Sequence, residues 1–544
     1  MANVGLKPVP GVSLFTDQSL RAIIVAVVAY WGGLAVVLPV STIDSHVYNL
    51  GRLAVAESAG FWQTNAWNDP RQVVFPWTFD AVHYPFLKIG WGWALPSFLS
   101  FLGLVVIVFN LVSRRWGTNV GLWSVLTLLA MPTIMLQATT SKNDLVIAFG
   151  VGCWLYSMVR FQRSHSKFFI FAAALSLAFT AGSKTYAVPM CGILTLVTAW
   201  IWRKEVRTLL VFAGFYLPCV VLFGSIETYV LSWLIYHRPL GHGDFVHLQR
   251  NNDGLRGLSA NFIRYYLQNV SFGIDGNANQ SGLAKFLENA CRKILDFFHL
   301  NNVGYAYGRA FNDNTLNLTK KGSEYYSDFG LVGFAALLTS SFYIWRPTLR
   351  NPYWAVMASG FATLGLISFM VGWMPWNARF LCLSFVLFGV AMAIILFGEL
   401  RRAFWLRQFF GVLIIWSAFT LPFLCVDRTP NDLGRAFYAR EDLTFDQRPW
   451  DRQVYDDVVA LRTKEKGKWF LIAGENSYVL PFLGLADEPW ILTPRWEQIA
   501  NFPDPGKAVP LFVLVLNRRI PPTLPVEIVR QYLEDTYILR VRHD

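Results

Sequence analysis

Ile43-Asp44-Ser45-His46-Val47-Tyr48 opens a loop, residues 43–93, that follows the first hydrophobic run and also holds Arg52, Glu57, Asp69, Arg71, Asp80, His83 and Lys88. Asp44 lies a few residues beyond that run, so its carboxylate sits at the level of the lipid headgroups. Charge kept near lipid is costly, and polar groups retained there usually have a function. Asp44 is therefore the expected chemical centre, and the rest of the chain the scaffold that brings a lipid-borne substrate to it.

Composition bounds what that scaffold is. Of 544 residues, 54% are hydrophobic and 15% charged, against about 25% charged in soluble proteins. The chain reads as a polytopic membrane protein with one soluble appendage. Its net charge of +12 fits Lys and Arg in cytoplasmic loops that face anionic lipid. No basic run is interleaved with aromatics, so nucleic acid is not an expected partner. The six cysteines stand singly, without C-x-x-C or a Cys/His metal spacing.

Apolar runs near the spanning length fall at 22–40, 92–112, 120–138, 145–160, 168–181, 185–202, 208–224, 329–345, 353–374, 380–398 and 408–425. About eleven transmembrane helices are expected, the first a signal anchor. Basic residues set the direction. Arg114/Arg115, Arg160/Arg163/Lys167, Arg203/Lys204/Arg207, Arg346/Arg350 and Arg401/Arg402/Arg407 occupy every alternate loop, which places those loops in the cytoplasm. The loops 41–91 and 225–328 and the tail 426–544 then share the outer face.

Cations on that outer face go against the positive-inside tendency and invite a reason, for which phosphate binding is economical. They include Arg52, Arg71, Lys88, Lys142, Lys184 and Arg379. Residues 45–60 read as an amphipathic helix lying on the membrane surface, with Asp44, Tyr48 and Arg52 on one face. Gln137-Ala138-Thr139-Thr140-Ser141-Lys142-Asn143-Asp144 opens the fourth span and puts Asp144 at a helix N-terminus, where the macrodipole stabilises it. Gly182-Ser183-Lys184 is a tight outer turn. The loop 225–328 is expected to form short helices over the substrate and closes with Glu324 and Asp328. Trp376-Asn377-Ala378-Arg379 follows Pro375 at the start of a span. In the tail, 468–473, 509–516 and 536–541 read as strands and 454–463 as a helix, a small α/β domain.

These stretches, in this order and topology, resemble the GT-C membrane glycosyltransferases. More closely, they look like the bacterial relatives of protein O-mannosyltransferases and of lipid A aminoarabinose transferases. The resemblance covers roughly residues 20–400. That family commonly has two adjacent acids in its first loop, whereas here Ser45 follows Asp44. The resemblance implies transfer of a sugar, with inversion, from a polyprenyl-phosphate donor to an acceptor protein, lipid or glycan. It implies the bacterial inner membrane, with the site and the C-terminal domain facing the periplasm or exterior and membrane lipids as neighbours.

The residue chemistry is compatible. A carboxylate acting as general base contributes about 10²–10⁴-fold, and a departing lipid phosphate needs cations nearby. The expected catalytic residues are Asp44 and Asp144. Lys184, Arg379, Arg52 and Lys88 are the expected donor-phosphate ligands. His46, Tyr48, Asp328 and Glu324 are the expected acceptor or substrate contacts. No cofactor is required, although a divalent cation, Mg or Mn, is compatible with Asp44 and Asp144. A transporter or lipid flippase, or a non-catalytic glycan-assembly protein, is the alternative. Transporters tend to place ionisable residues mid-membrane and to repeat internally, and neither is evident here.

Overall fold

A computed structural model describes residues 15–64, 66–241, 243–269, 282–307, 329–345, 352–400, 403–425, 428–446, 448–465, 468–474, 477–483, 491–492, 511–516, 518–521, 526–533 and 535–541. Each of the eleven apolar runs is helical, but they do not make eleven equal spans. Among the described residues seven helices are long and apolar enough to cross a membrane, including Asp17–Val37, Leu95–Trp116 and Asp144–Ser164. An eighth run is broken: Thr118–Leu129 and Pro132–Ala138 meet at 78°. Three more, Lys167–Ala181, Ala187–Ile201 and Gly330–Ile344, have 15 residues each. At about 1.5 Å per residue, each falls short of a hydrocarbon core of about 30 Å.

Lipid explains the burial pattern. Nearly all of Trp376–Glu399 is buried in the centre of the bundle, whereas Val206–Phe223 exposes Leu210, Leu217, Val221 and Leu222. An apolar helix so exposed is stable only with hydrocarbon as its solvent. Within the bundle, small residues let helices approach closely. A Cβ on Gly150 would lie 1.8 Å from the Thr180 Oγ1, and one on Gly103 would lie 2.4 Å from the Phe149 ring.

The first loop departs from its expected form. Ser45–Asn49 is a π-helical turn, with the Leu50 amide donating to the Ser45 carbonyl, and Gly51–Ala59 continues as α-helix. Gly51 is required there, because a Cβ would meet the His46 carbonyl at 2.3 Å. Residues 45–55 are buried, so this segment is not the surface-lying amphipathic helix that its spacing predicts. The wider π turn also rotates Arg52 away from Asp44. Arg52 donates to the carbonyls of Phe75 (2.6 Å) and Pro76 (2.8 Å) and pairs with the Asp80 carboxylate, which also accepts from Asn49 Nδ2 at 3.2 Å. Arg52 thus ties the loop to itself. Lys88 pairs with Glu57 on the exposed side of the loop. Neither faces the expected phosphate site.

The large loop forms the expected helices, Ile226–Tyr236, Gly243–Gln249, Gly254–Gln268 and Gly282–Phe297, the last two of 15 and 16 residues. In the tail, helix Pro449–Lys464 precedes β1 (Lys468–Ala473), β2 (Ile491–Leu492), β3 (Leu511–Leu516), β4 (Val526–Leu533) and β5 (Thr536–Val541). The strands lie in the order β2-β1-β3-β5-β4. β1 runs parallel to β2 and β3, while β5 is antiparallel to β3 and β4. The three expected strands are β1, β3 and β5. β4 was not legible because it lies at the edge and carries Glu527, Arg530 and Gln531, which weaken its apolar signal.

Arg52 and Asp80 are both buried, so breaking their pair leaves a buried charge alone. Arg52→Met is expected to destabilise the protein by about 3–5 kcal/mol, read as a lowered Tm in detergent. Arg52→Met combined with Asp80→Leu should recover most of that loss.

Candidate active site

The break in the third run builds one wall of the site. Pro132 stands at the first position of its short helix, where its missing N–H costs nothing. Beyond Ala138, residues 139–143 run without helix, and every residue from Thr139 to Asp144 is buried. Irregular backbone at membrane depth is tolerated only inside protein, and here side chains hold it. Ser97 Oγ donates to the Lys142 carbonyl at 3.2 Å. Asn143 Nδ2 donates to the Ser183 carbonyl. Ser141 Oγ donates to Ser45 Oγ at 2.7 Å, and Ser45 Oγ lies 2.7 Å from Thr42 Oγ1. The break is thereby hooked to the first loop and to the turn that carries Lys184.

That turn is equally constrained. A Cβ on Gly182 would overlap the Phe223 carbonyl at 1.9 Å. The Gly182 carbonyl accepts from Ser225 Oγ (2.7 Å) and the Thr78 amide (3.1 Å). Arg379 comes from a third element, the 3-10 helix Pro375–Leu381. The large loop anchors the stretch before it: the Gly372 amide donates to the Gln249 carbonyl at 2.9 Å, and the Trp373 amide to the Gly304 carbonyl at 2.7 Å.

These elements bring two carboxylates and three cations together. Arg379 bridges the acids, with Nη2 2.8 Å from Asp44 Oδ2 and Nε 3.5 Å from Asp144 Oδ2. Lys142 Nζ lies 3.6 Å from the same Asp44 oxygen, and Lys184 pairs with Asp144. Lys184 Nζ also sits 4.5 Å from the Phe380 ring centroid, a cation–π contact that holds it without neutralising it. Tyr48 hydrogen-bonds Asp44. The Arg71 guanidinium stacks 4.9 Å from the Tyr48 ring centroid and forks onto Asp69 at 2.8 and 2.6 Å.

The electrostatics follow from this arrangement. Burial pushes the Asp44 carboxyl up, but Arg379, then Lys142 and Arg71, outweigh it and hold the group well below the usual carboxylate range. Burial lowers the Lys184 ammonium; Asp144 opposes the shift and Arg379 adds to it. Burial and the Asp44 charge raise the Tyr48 phenol, so at neutral pH it is a hydrogen-bond donor.

Of the residues expected from sequence, Asp44, Asp144, Lys184, Arg379 and Tyr48 meet. Arg52 and Lys88 do not. His46 is near but turned away: its Nε2 lies 2.8 Å from the Val40 carbonyl, its ring stacks on Tyr478, and burial lowers it to about 4. Fully buried and neutral, it packs between Tyr478 and the Val40 carbonyl. Glu324 and Asp328 lie outside the described residues. The expected ligand set omitted Lys142, although its signal was present as an outer-face cation two residues before Asp144. Among the described residues, no three His, Cys, Asp or Glu side chains gather as a metal-binding group.

A carboxyl whose pKa is lowered by folding adds stability above its unfolded value, and that stability is lost as pH falls through the folded value. For Asp44 the window lies below about pH 4. Asp44→Asn is therefore expected to lower Tm at neutral pH and to flatten the loss of Tm between about pH 4 and 2.5, measured by thermal denaturation across that range.

No protein-family model matches the chain, and no curated protein matches its sequence. Solved structures do match it. ArnT from Cupriavidus metallidurans bound to undecaprenyl phosphate superposes with a TM-score of 0.54 at 14% identity, over 97% of this chain and 98% of that one. The same enzyme in the apo state gives 0.56 at 13% identity, over 96% and 98%. In its membrane helices and its small C-terminal sheet alike, the chain has the GT-C fold seen in ArnT.

Proposed function

We propose that this protein is an integral membrane glycosyltransferase. It moves a sugar from a polyprenyl-phosphate donor to an acceptor at the outer face of the bacterial inner membrane, with inversion. The observation that carries this reading is the buried cluster in which Lys142, Lys184 and Arg379 outnumber Asp44 and Asp144. An excess cation at the end of a helix bundle fits a lipid phosphate. The undecaprenyl phosphate bound to ArnT, a protein of this fold, supports the same donor class.

In this reading Lys184, Arg379 and Lys142 hold the donor phosphate and stabilise its charge as the sugar–phosphate bond breaks. The leaving phosphate needs no proton, so one base suffices, unlike the paired carboxylates of glycoside hydrolysis. The acceptor oxygen forms the new bond to the anomeric carbon, and its proton passes to Asp44. Without donor, Asp44 is held ionised and weakly basic. Phosphate oxygens that draw Arg379 and Lys142 toward themselves loosen that hold and bring Asp44 nearer to the proton affinity of a working base. Asp144 retains Lys184 and orients it. A divalent ion between Asp44 and Asp144 would face three cations, a poor fit to its charge.

The outer-face assignment is supported by the Leu95–Trp116 helix. Ser97, at its start, touches the Lys142 segment, while Arg114 and Arg115 lie in its last turn, the cytoplasmic end by the positive-inside rule. The gathering of charge at one end of the bundle favours this reading over a transporter.

The test is sugar transfer by purified protein in nanodiscs with a panel of radiolabelled polyprenyl-phosphate sugars. Asp44→Asn is expected to lower turnover by about 10²-fold or more while donor binding survives. Arg379→Ala and Lys184→Ala are each expected to weaken donor binding by roughly tenfold or more. Folded wild-type protein that neither binds nor turns over any donor would sink the proposal.

A further inference from the structure

The tail reaches the loop that carries Asp44 at several points. At the start of the loop, Arg428 Nη1 donates to the Pro39 carbonyl at 2.9 Å and Arg440 donates to the Val37 carbonyl. At its end, Arg440 Nη2 donates to the Gly90 carbonyl at 2.9 Å and stacks 4.1 Å from the Trp91 ring centroid. Between them, Tyr478 enters beside Asp44 itself. Its Oη donates to the Ser41 carbonyl at 3.0 Å, three residues before Asp44. Its ring stacks on His46, two residues after Asp44, with centroids 4.6 Å apart and planes at 19°. The Arg448 guanidinium lies 5.0 Å from the Tyr478 centroid, and the next residue, Val479, packs against Gly51.

The geometry points to Tyr478 as a positioning residue for Asp44, and to the C-terminal domain as the part that completes the catalytic loop. Tyr478 holds the chain on both sides of Asp44, and His46 relays that hold inward through its own bond to the Val40 carbonyl. Tyr478 thus acts on the chain that carries Asp44, while Lys142, Lys184 and Arg379 ride on other segments. Those cations are positioned by the broken span, the Gly182 turn and the large loop. The cations thus have backbone supports of their own, while Asp44, which Arg379 and Lys142 also hold, takes part of its chain position from the tail. Donor phosphate is held by the membrane part, and the tail helps to aim the base.

A separate support predicts a separate kinetic effect. A displacement of about 1 Å at a reacting group costs on the order of 10²-fold in rate, while phosphate affinity is left in place. The inference rests on the transferase reading for its kinetic arm, and a second arm is independent of activity. The experiment compares wild type, Tyr478→Phe and Tyr478→Ala for kcat, for undecaprenyl phosphate affinity, and for amide hydrogen exchange across residues 40–47. Tyr478→Ala should lower kcat by about 10- to 100-fold, keep affinity for undecaprenyl phosphate within about twofold and speed exchange across residues 40–47. Tyr478→Phe retains the stack on His46 and should restore most of kcat. If the alanine variant fails to fold, Tyr478→Leu replaces it with the same expectations.

Wild-type kcat and exchange in a folded alanine or leucine variant would overturn the proposal. Equal losses of kcat and phosphate affinity would also overturn it, because they denote general disruption. Absence of turnover with every donor in wild type would instead count against the transferase reading, and the exchange arm would still decide whether Tyr478 holds the loop.

Discussion

Arg379 holds two carboxylates that begin far apart in the chain, and the surrounding structure is arranged to let it. Asp44 and Asp144 are both buried, and a buried carboxylate without a partner is strongly destabilising. One planar guanidinium can serve both because its donors lie in a fixed fork. Lys142 and Lys184 then each lie beside one acid. The cluster retains positive charge, since three cations face two acids.

Each residue of the cluster comes from a point where regular helix fails. The 78° break at Pro132 releases the polar stretch before Asp144. The π turn at Ser45–Asn49 buries the segment after Asp44, and a 3-10 helix presents Arg379. A straight span satisfies its own backbone and sends its side chains outward at regular angles. Interrupting it frees backbone polar groups and aims side chains inward, provided that neighbours supply hydrogen bonds. Ser97, Asn143 and Ser225 supply several of them here.

Two solvents meet at this site. The membrane helices present Leu and Val to lipid, while the tail folds around a sheet whose central strand β3 is buried along its length. The first loop lies between them. It is buried from below by the bundle and from above by Tyr478 and Val479, which is why a segment with amphipathic spacing is enclosed rather than laid on the membrane surface.

The sequence by itself determined the membrane class, the helical identity of all eleven apolar runs, the tail's three most apolar strands and most of the cluster. These rest on local quantities: hydropathy over a span, alternation along a strand, and charges standing where charge is costly. Asp44, Asp144, Lys184 and Arg379 were legible for that last reason. The tertiary structure alone decided that Arg52 turns to Asp80, that Lys88 stays with Glu57, that His46 is a buried support, and that Lys142 belongs beside Asp44. Those outcomes depend on the rotation introduced by one π turn and on partners dozens of residues away. Tyr478 is the extreme case, since it is 437 residues from the Ser41 carbonyl that it holds. Such a contact has no local signature, because the groups that satisfy each other become neighbours only after both domains have folded.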